Sequence, residues 1–420
     1  MKFFLKTFGC RVNQVESQAI LEAFAARGHT PAPLEQADIC LLNTCTVTHQ
    51  ADKDVEKLIR QILRRNPSAR LVLTGCYAAA HAQHIKQHFP QAEIIGKYEL
   101  GQKLFAAQDL CWTVSGHEGH SRAFIKIQDG CDSFCSYCIV PFARSVKRSK
   151  PAADVLQEIA ALVQKGFGEI VLTGINIGNY KCPQTGKDLA ALCDDIAAQP
   201  GHFRVRFSSI ELQTVTDGVI GAMAKFPARF CNYLHLPLQS GCDAVLRTMN
   251  RHYTCAQYAE KVEQLRARVP GASVFADVIA GFPTETEKDF ETTYHFIESQ
   301  KLCGLHVFSY SPRPGTRAAQ LPQLPSEIIK ARAEKLRELD KKLRAEFAAS
   351  LVGSVQEVFI EEHSAGGAHG GNEACGGAVV RGVTGNFQQV VLENAPADAR
   401  GLARVKIVRS DGTGCVGKLI

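Results

Sequence analysis

The spacing of apolar and polar positions changes several times along the chain, and each change predicts an element. Residues 3–7 read as a strand, 16–26 as a helix, 39–43 as a strand and 52–65 as a helix; 71–74, 78–88 and 93–95 then read as strand, helix and strand. Such alternation predicts a parallel, doubly wound sheet, because parallel neighbours need a crossover and a helix supplies it. The alternation returns on a larger scale between about residues 123 and 349, with strands at 124–128, 170–172, 205–208, 233–236, 273–278 and 305–308 and helical patterns between most of them. Six such units are too few for a closed eight-unit barrel, so the expectation is an open, partial (β/α) barrel. A helix over 327–347 closes this region; its seven basic and five acidic residues interleave, the pattern of a solvated, salt-bridged face.

From residue 350 the pattern becomes short and β-rich, at 355–360, 388–392 and 403–408, with glycine turns between, which predicts a small β-barrel. The glycine-dense stretch 366–377 reads as a mobile loop. The fold class is therefore α/β in three parts: a doubly wound domain over 1–115, a partial barrel over 116–349 and a small β-barrel over 350–420.

Composition narrows little. Across 420 residues, 45% hydrophobic and 21% charged is the usage of a folded protein, and the length suits two or three domains. A net charge of +6 permits an anionic partner without requiring one. The start is too short in apolar residues for a signal peptide and no run approaches a membrane span, so the expectation is a cytoplasmic protein without a membrane partner. The chain has sixteen cysteines, and in a reducing compartment these are poor disulfide candidates, so some should be metal ligands. Others, such as Cys40, Cys231 and Cys255, read as small buried residues.

Two sets of three cysteines stand out. Cys10, Cys45 and Cys76 each follow a predicted strand, in Thr7-Phe-Gly-Cys10, Asn43-Thr-Cys45 and Thr74-Gly-Cys76. In a parallel sheet these strand ends share one edge, where ligand sites form, so the three can converge on one metal group. Gly9 and Gly75 allow the tight turns such convergence needs. Three unrelated buried cysteines is the other reading. The second set is local: Asp129-Gly-Cys131-Asp-Ser-Phe-Cys135-Ser-Tyr-Cys138 puts three thiols on one loop. Three thiolates on a four-iron cluster leave one iron open for chemistry. A structural zinc wants four closed ligands, and the next cysteine, Cys182, is far downstream.

This spacing, the aromatic before the last cysteine and the partial barrel resemble the radical S-adenosylmethionine superfamily. Longer strings resemble its methylthiotransferase family over nearly the whole chain: Thr7-Phe-Gly-Cys-Arg-Val-Asn-Gln-Val-Glu-Ser17, Leu73-Thr-Gly-Cys76, Leu234-His-Leu-Pro-Leu-Gln-Ser-Gly241, Gly281-Phe-Pro-Thr-Glu-Thr286 and Phe308-Ser-Tyr-Ser-Pro-Arg-Pro-Gly-Thr316. The resemblance implies two 4Fe-4S clusters, one on each cysteine trio. S-adenosylmethionine would bind the open iron of the Cys131, Cys135, Cys138 cluster and yield a 5′-deoxyadenosyl radical. It also implies a C-terminal TRAM barrel, a tRNA anticodon stem-loop as partner, an electron donor such as flavodoxin or ferredoxin, and a sulfur source. The string Cys10-Arg-Val-Asn is similar to the branch that acts on threonylcarbamoyladenosine, where the isopentenyladenosine branch tends to read Gly-Cys-Gln-Met-Asn. The implied reaction is methylthiolation at C2 of N6-threonylcarbamoyladenosine at position 37, 3′ of the anticodon. Two departures from the family pattern are Ser145 and Thr284, each where a glycine is frequent.

For S-adenosylmethionine contacts the resemblance and strand ends suggest Tyr137, Gly174, Gln239 and Ser240, each also readable as an ordinary packing or turn residue. For RNA, Lys53, Lys57, Arg60 and Arg64 recur on one face of a predicted helix, and Arg144, Lys147, Arg148 and Lys150 form a second basic run. The C-terminal region has six basic and seven acidic residues, so RNA contact there needs local patches such as Arg381, Arg404, Lys406 and Arg409. The competing functions are methylthiolation of isopentenyladenosine or of a ribosomal-protein aspartate, and a non-catalytic metal-bearing RNA-binding module.

Overall fold

The computed structural model describes residues 1–106, 110, 112–116, 121–361 and 380–420. The glycine-dense stretch 366–377 lies outside the described residues.

In the N-terminal unit five strands pair in parallel, in the order Thr30–Pro31, Lys2–Thr7, Ile39–Thr44, Arg70–Thr74, Glu93–Ile94. All six residues of the central strand Ile39–Thr44 are buried, because helices cover both faces. Cys40, Leu42, Leu71 and Leu73 pack under the helix His49–Arg65 through Val55, Ile59 and Ile62. Phe3, Leu41 and Val72 meet Ile20 and Phe24 of the helix Arg11–Ala25 on the other side. The single helix expected over 78–88 is two, Gly75–Ala80 and Ala82–His88, broken at His81, which leaves helical backbone geometry with ψ near 27°. That break lets a short helix start directly at the strand end and carry Cys76 in its first turn.

The middle unit is a six-stranded open parallel barrel. Ala123–Lys126, Glu169–Thr173 and Arg204–Phe207 pair as one group, and Tyr233–His235, Ser273–Ala280 and Gly304–Ser309 as another. The bridges Val205 to Phe230 and Ser209 to His235 join the groups. Alternate residues such as Ile125, Leu172, Val205, Leu234, Val278 and Leu305 face outward into one large core with the surrounding helices. Their neighbours therefore face the lumen. The helix Arg11–Ala25 of the first unit lies against the open side: Val15 and Ala19 pack on the lumen-facing Phe124 and Val171.

The helix Ser326–Ser350 packs along the last barrel strand and leads to a closed five-stranded barrel. Its strands run Val355–Ile360, Val380–Thr384, Gln389–Leu392, Cys415–Leu419, Gly401–Ser410. Val380–Thr384 and Cys415–Leu419 were not foreseen from sequence; each is short, and glycine turns border them. This small barrel caps the amino-terminal ends of the parallel strands. Arg204 donates to the carbonyls of Glu357 and Val383 at 3.0 and 2.7 Å, and Arg206 to those of Thr384 and Gly385 at 2.9 and 3.0 Å.

Candidate functional site

The carboxyl edge of the first sheet brings Cys10, Cys45 and Cys76 together. Cys10 is the residue before the helix Arg11–Ala25, Cys45 follows the strand Ile39–Thr44, and Cys76 opens the helix Gly75–Ala80. Gly9 (φ +95°) and Gly75 (φ +89°) have no room for a side chain: a Cβ on Gly9 would lie 2.4 Å from Cys45 Cβ, and one on Gly75 2.5 Å from the Thr44 carbonyl. Asn13 ties the loops, donating to the carbonyls of Phe8 and Thr44 at 2.8 and 3.0 Å, while Asn43 donates to the Asn13 carbonyl and Ser17 Oγ. The string that follows Cys10 is thus largely scaffold.

Cys131, Cys135 and Cys138 sit on the loop after Gln128–Asp129. Arg251 donates to Cys135 Sγ at 3.3 Å and pairs with Glu211. Arg144 likewise donates to Cys76 Sγ at 3.1 Å. Arg144 is fully buried and also holds Glu16 at 2.7 Å, Asp129 at 3.0 Å and Asn13 at 2.6 Å. Lys126 adds contacts to Glu16 (2.6 Å) and Asp129 (2.7 Å), and Lys97 pairs with Asp129. One buried ion network therefore runs from Cys76 to the residue two before Cys131. Burial opposes the Arg144 charge, yet Cys76, Glu16 and Asp129 raise its pKa well above the ordinary value. Burial likewise disfavours ionised Glu16, but Arg144 and Lys126 hold it at about 2.

Of the basic run expected at 144–150, Lys147 and Arg148 are exposed and Arg144 and Lys150 turn inward. Arg144 is spent on this network, and Lys150 is buried against Glu158 and the Trp112 carbonyl. Lys147 and the Asp132 it pairs with are both exposed, and Arg148, also exposed, lies over the ring of Tyr98. Sequence density of like charge cannot say which side chains turn inward. The stripe Lys53, Lys57, Arg60 and Arg64 is exposed as expected, with Arg60 paired to Glu56 at 2.6 Å.

Do the trios suit a metal group? Burial pushes the thiols up, Cys45 to about 11 and Cys138 to about 12, so occupancy must displace protons. A single zinc would draw its sulfurs to within about 4 Å of one another. Among the described residues, only His235, Asp277 and His306 have three potential ligand atoms all within 4.8 Å; the sulfurs of neither trio are gathered so closely. Three soft thiol donors in each set, with an arginine N–H on Cys76 in one and on Cys135 in the other, are chemically suited to an iron–sulfur core.

Between the trios lies a cavity of about 230 Å³, lined by Val47 and Thr48 just after Cys45, by Tyr137, and by Gln239, Asp277, Ile279, Phe308 and Arg313. Arg313 is buried and reaches across to Thr46 Oγ1 at 2.5 Å and to Asp52. Tyr137 and Gln239 thus line the cavity. Gly174 packs on Gln128, whose carbonyl lies 2.8 Å from where its Cβ would be. Ser240 turns away, bonded to Thr293 at 3.0 Å.

Sequence reading passed over Glu16, Asp129, Arg251, Arg313 and the group His235, Asp277, His306. The last left a trace: each is a lone polar residue in an apolar strand, as Leu234-His-Leu, Ala276-Asp-Val and Leu305-His-Val.

Two family models match the chain: uncharacterized protein family UPF0004 over residues 2–96 and the radical SAM superfamily over 125–297. The chain is 34% identical to the threonylcarbamoyladenosine tRNA methylthiotransferase MtaB of Bacillus subtilis, over 96% of this chain and 93% of that protein. It is 33% identical to the tRNA-2-methylthio-N(6)-dimethylallyladenosine synthase of Endomicrobium trichonymphae, over 86% of this chain and 89% of that protein. In fold it is similar to the radical S-adenosylmethionine methyltransferase TsrM of Kitasatospora setae, with a TM-score of 0.55, 13% identity, and 76% and 74% of the two chains covered.

Proposed function

Because the chain belongs to the radical S-adenosylmethionine tRNA methylthiotransferase family, we propose that it places a methylthio group on C2 of N6-threonylcarbamoyladenosine in the tRNA anticodon loop. The observation that carries this reading is a cavity walled on one side by the loop after Cys45 and on the other by Tyr137 between Cys135 and Cys138.

Cys131, Cys135 and Cys138 would hold one 4Fe-4S cluster, and Cys10, Cys45 and Cys76 a second. When bound, the first, with S-adenosylmethionine on its open iron, supplies the radical that activates a C–H bond no base can deprotonate, and the second carries the methylthio sulfur. The protein's part is placement. Arg144 fixes the Cys76 loop against the Cys131 loop, Arg313 fixes the Cys45 loop against the barrel mouth, and Arg251 neutralises charge at Cys135. Tyr137 and Ile279 offer an apolar wall for a nucleobase, and Gln239 a polar edge. Adenine entering the cavity is thereby held between the two trios and away from water.

Anaerobic reconstitution should give about eight iron per chain and reductive cleavage of S-adenosylmethionine. Mass spectrometry of tRNA nucleosides from a deletion strain should show threonylcarbamoyladenosine without its methylthio group. Loss of the methylthio group from isopentenyladenosine instead, or from a ribosomal-protein aspartate, would overturn the substrate assignment.

A further inference from the structure

Within the open barrel three polar side chains meet on the lumen wall. His235, Asp277 and His306 lie on three adjacent strands; Asp277 sits directly opposite His306 in the ladder, and His235 opposite Phe275. The same oxygen, Asp277 Oδ1, is 2.7 Å from His235 Nε2 and 3.2 Å from His306 Nδ1. Burial works against its charge, but these two contacts hold the Asp277 carboxyl at about 2. With one nitrogen of each ring committed to Oδ1, Oδ2 of Asp277 and the outer nitrogen of His306 are left as hydrogen-bonding positions toward the lumen. The His306 side chain is 48% exposed, and Asp277 lines the cavity between the cysteine trios.

A cation faces the same lumen. Arg11 opens the helix that lies across the barrel's open side, and its guanidinium sits over the ring of lumen-facing Phe124 at 5.4 Å. Arg122 and Arg206 lie near enough to disfavour its charge, while Tyr233, which precedes His235 by two positions on the same strand face, and Glu169 favour it. No carboxylate among the described residues pairs with Arg11, whereas Arg204 and Arg206 are answered by Glu169, and Arg144 by Glu16 and Asp129. A cation in the first turn also opposes the helix dipole, and that turn carries no acid to offset it. A largely buried cation with no carboxylate in contact with it, facing hydrogen-bonding groups, is the arrangement of a site for a group that is itself both anionic and hydrogen-bonding.

We infer that the lumen is the subsite for the N6 substituent of the substrate adenosine, with Arg11 facing a carboxylate and the His235–Asp277–His306 group accepting from a hydroxyl and N–H. This rests on the reading of the protein as a threonylcarbamoyladenosine enzyme. In adenine C2 and C6 flank N1 on one edge of the ring, and their exocyclic bonds diverge, so a substituent on N6 does not occupy the space in front of C2. With C2 held at the carboxyl mouth between the trios, the space left for a diverging N6 substituent is the lumen below, where Asp277 lines the same cavity. Asp277 lies two residues deeper along its strand than Ile279, which lines the mouth. A threonylcarbamoyl group brings a carboxylate, a hydroxyl and N–H donors to these partners. An isoprenoid group brings none, and would strip water from Asp277 and Arg11 without replacing it.

The test measures anaerobic binding of anticodon stem-loop RNA to the reconstituted enzyme by fluorescence anisotropy. The RNA carries threonylcarbamoyladenosine, its threonine methyl ester, isopentenyladenosine or adenosine at the modified position. The unaltered enzyme should bind the threonylcarbamoyl RNA about tenfold or more tighter than the ester or adenosine RNA. Arg11→Gln should abolish discrimination against the ester, and Arg11→Lys should restore part of it; His306→Leu should weaken threonylcarbamoyl and ester RNA alike, and His306→Gln recover part. Iron content and unfolding midpoint report whether each variant is folded, and the ester comparison needs no variant at all. Equal binding of acid and ester by the unaltered enzyme would overturn the inference while leaving the substrate assignment intact. Preference for isopentenyl RNA would overturn both. Stoichiometric binding of added zinc or cobalt(II) that His306→Leu abolishes would assign the histidine group to a metal and overturn the inference.

Discussion

Thr284 stands at φ +74°, a left-handed backbone that a β-branched residue enters only at a cost of about 1–2 kcal/mol. The family resemblance leads one to expect a glycine here, and the threonine in its place has a measurable consequence. Thr284→Gly should raise stability by about 1 kcal/mol after the added entropy of the unfolded chain, read as a higher urea midpoint with unchanged slope. Ser145, the other departure, carries no such strain: it is not among the non-glycine residues with positive φ. Gly9 is the opposite case. At φ +95° and 2.6 Å from Cys45 Sγ to any added Cβ, Gly9→Ala must move either the Cys10 turn or Cys45. Reconstituted iron should fall by about half, with the Cys131 loop still loaded; unchanged iron per chain would show that the three N-terminal thiols do not share one group.

At the scale of elements, much was legible and the reason is periodicity. Strands such as Lys2–Thr7, Ile39–Thr44, Arg70–Thr74 and Val355–Ile360 fall where alternation or apolar runs put them, and the six-unit count foretold the open barrel. What joins the elements was not legible. Glu16, Lys126, Asp129 and Arg144 belong to a helix, two strands and a loop up to 128 residues apart, and nothing local says that they meet. Because these charges are buried, removing one strands the others. Arg144→Met should cost about 3–5 kcal/mol, seen in urea unfolding. The same network predicts acid sensitivity. Glu16 is held at about 2 against an ordinary 4.5, so its contribution is complete above about pH 4.5 and drains away as pH falls toward 2. Unfolding midpoints between pH 5 and 3 should fall more steeply for the unaltered protein than for Glu16→Gln, which starts lower and titrates nothing there.

The molecule as a whole has two mouths on one parallel barrel. The carboxyl mouth faces the cysteine trios; the amino mouth is plugged by the C-terminal barrel. The plug is held by one carboxylate: Glu169 lies 2.7 Å from Arg204 and 3.0 Å from Arg206, and these arginines in turn grip the carbonyls of Val383, Thr384 and Gly385. Arg122 adds a contact to Glu169 at 3.4 Å and pairs with Glu361. Ser273 Oγ donates to the Asn386 carbonyl at 2.7 Å, and Phe387 stacks on Tyr233 with ring centres 4.6 Å apart. Burial alone would keep Glu169 neutral, but Arg206 and Arg204 hold it far below the usual carboxylate range. Glu169→Gln keeps the shape and removes the charge, leaving Arg206 without a carboxylate partner and Arg204 and Arg122 with only Glu357 and Glu361, a loss of about 3–5 kcal/mol. Because the small barrel has its own core of Val358, Val390, Val405 and Ile407, the loss should fall on docking before folding. Calorimetry of Glu169→Gln should then resolve a separate, lower transition for the C-terminal barrel, and limited proteolysis should cut between Ser350 and Val355. A single transition merely shifted downward would mean that the barrel and the parallel core unfold as one unit, with the apolar seam around Phe387 sufficient to couple them.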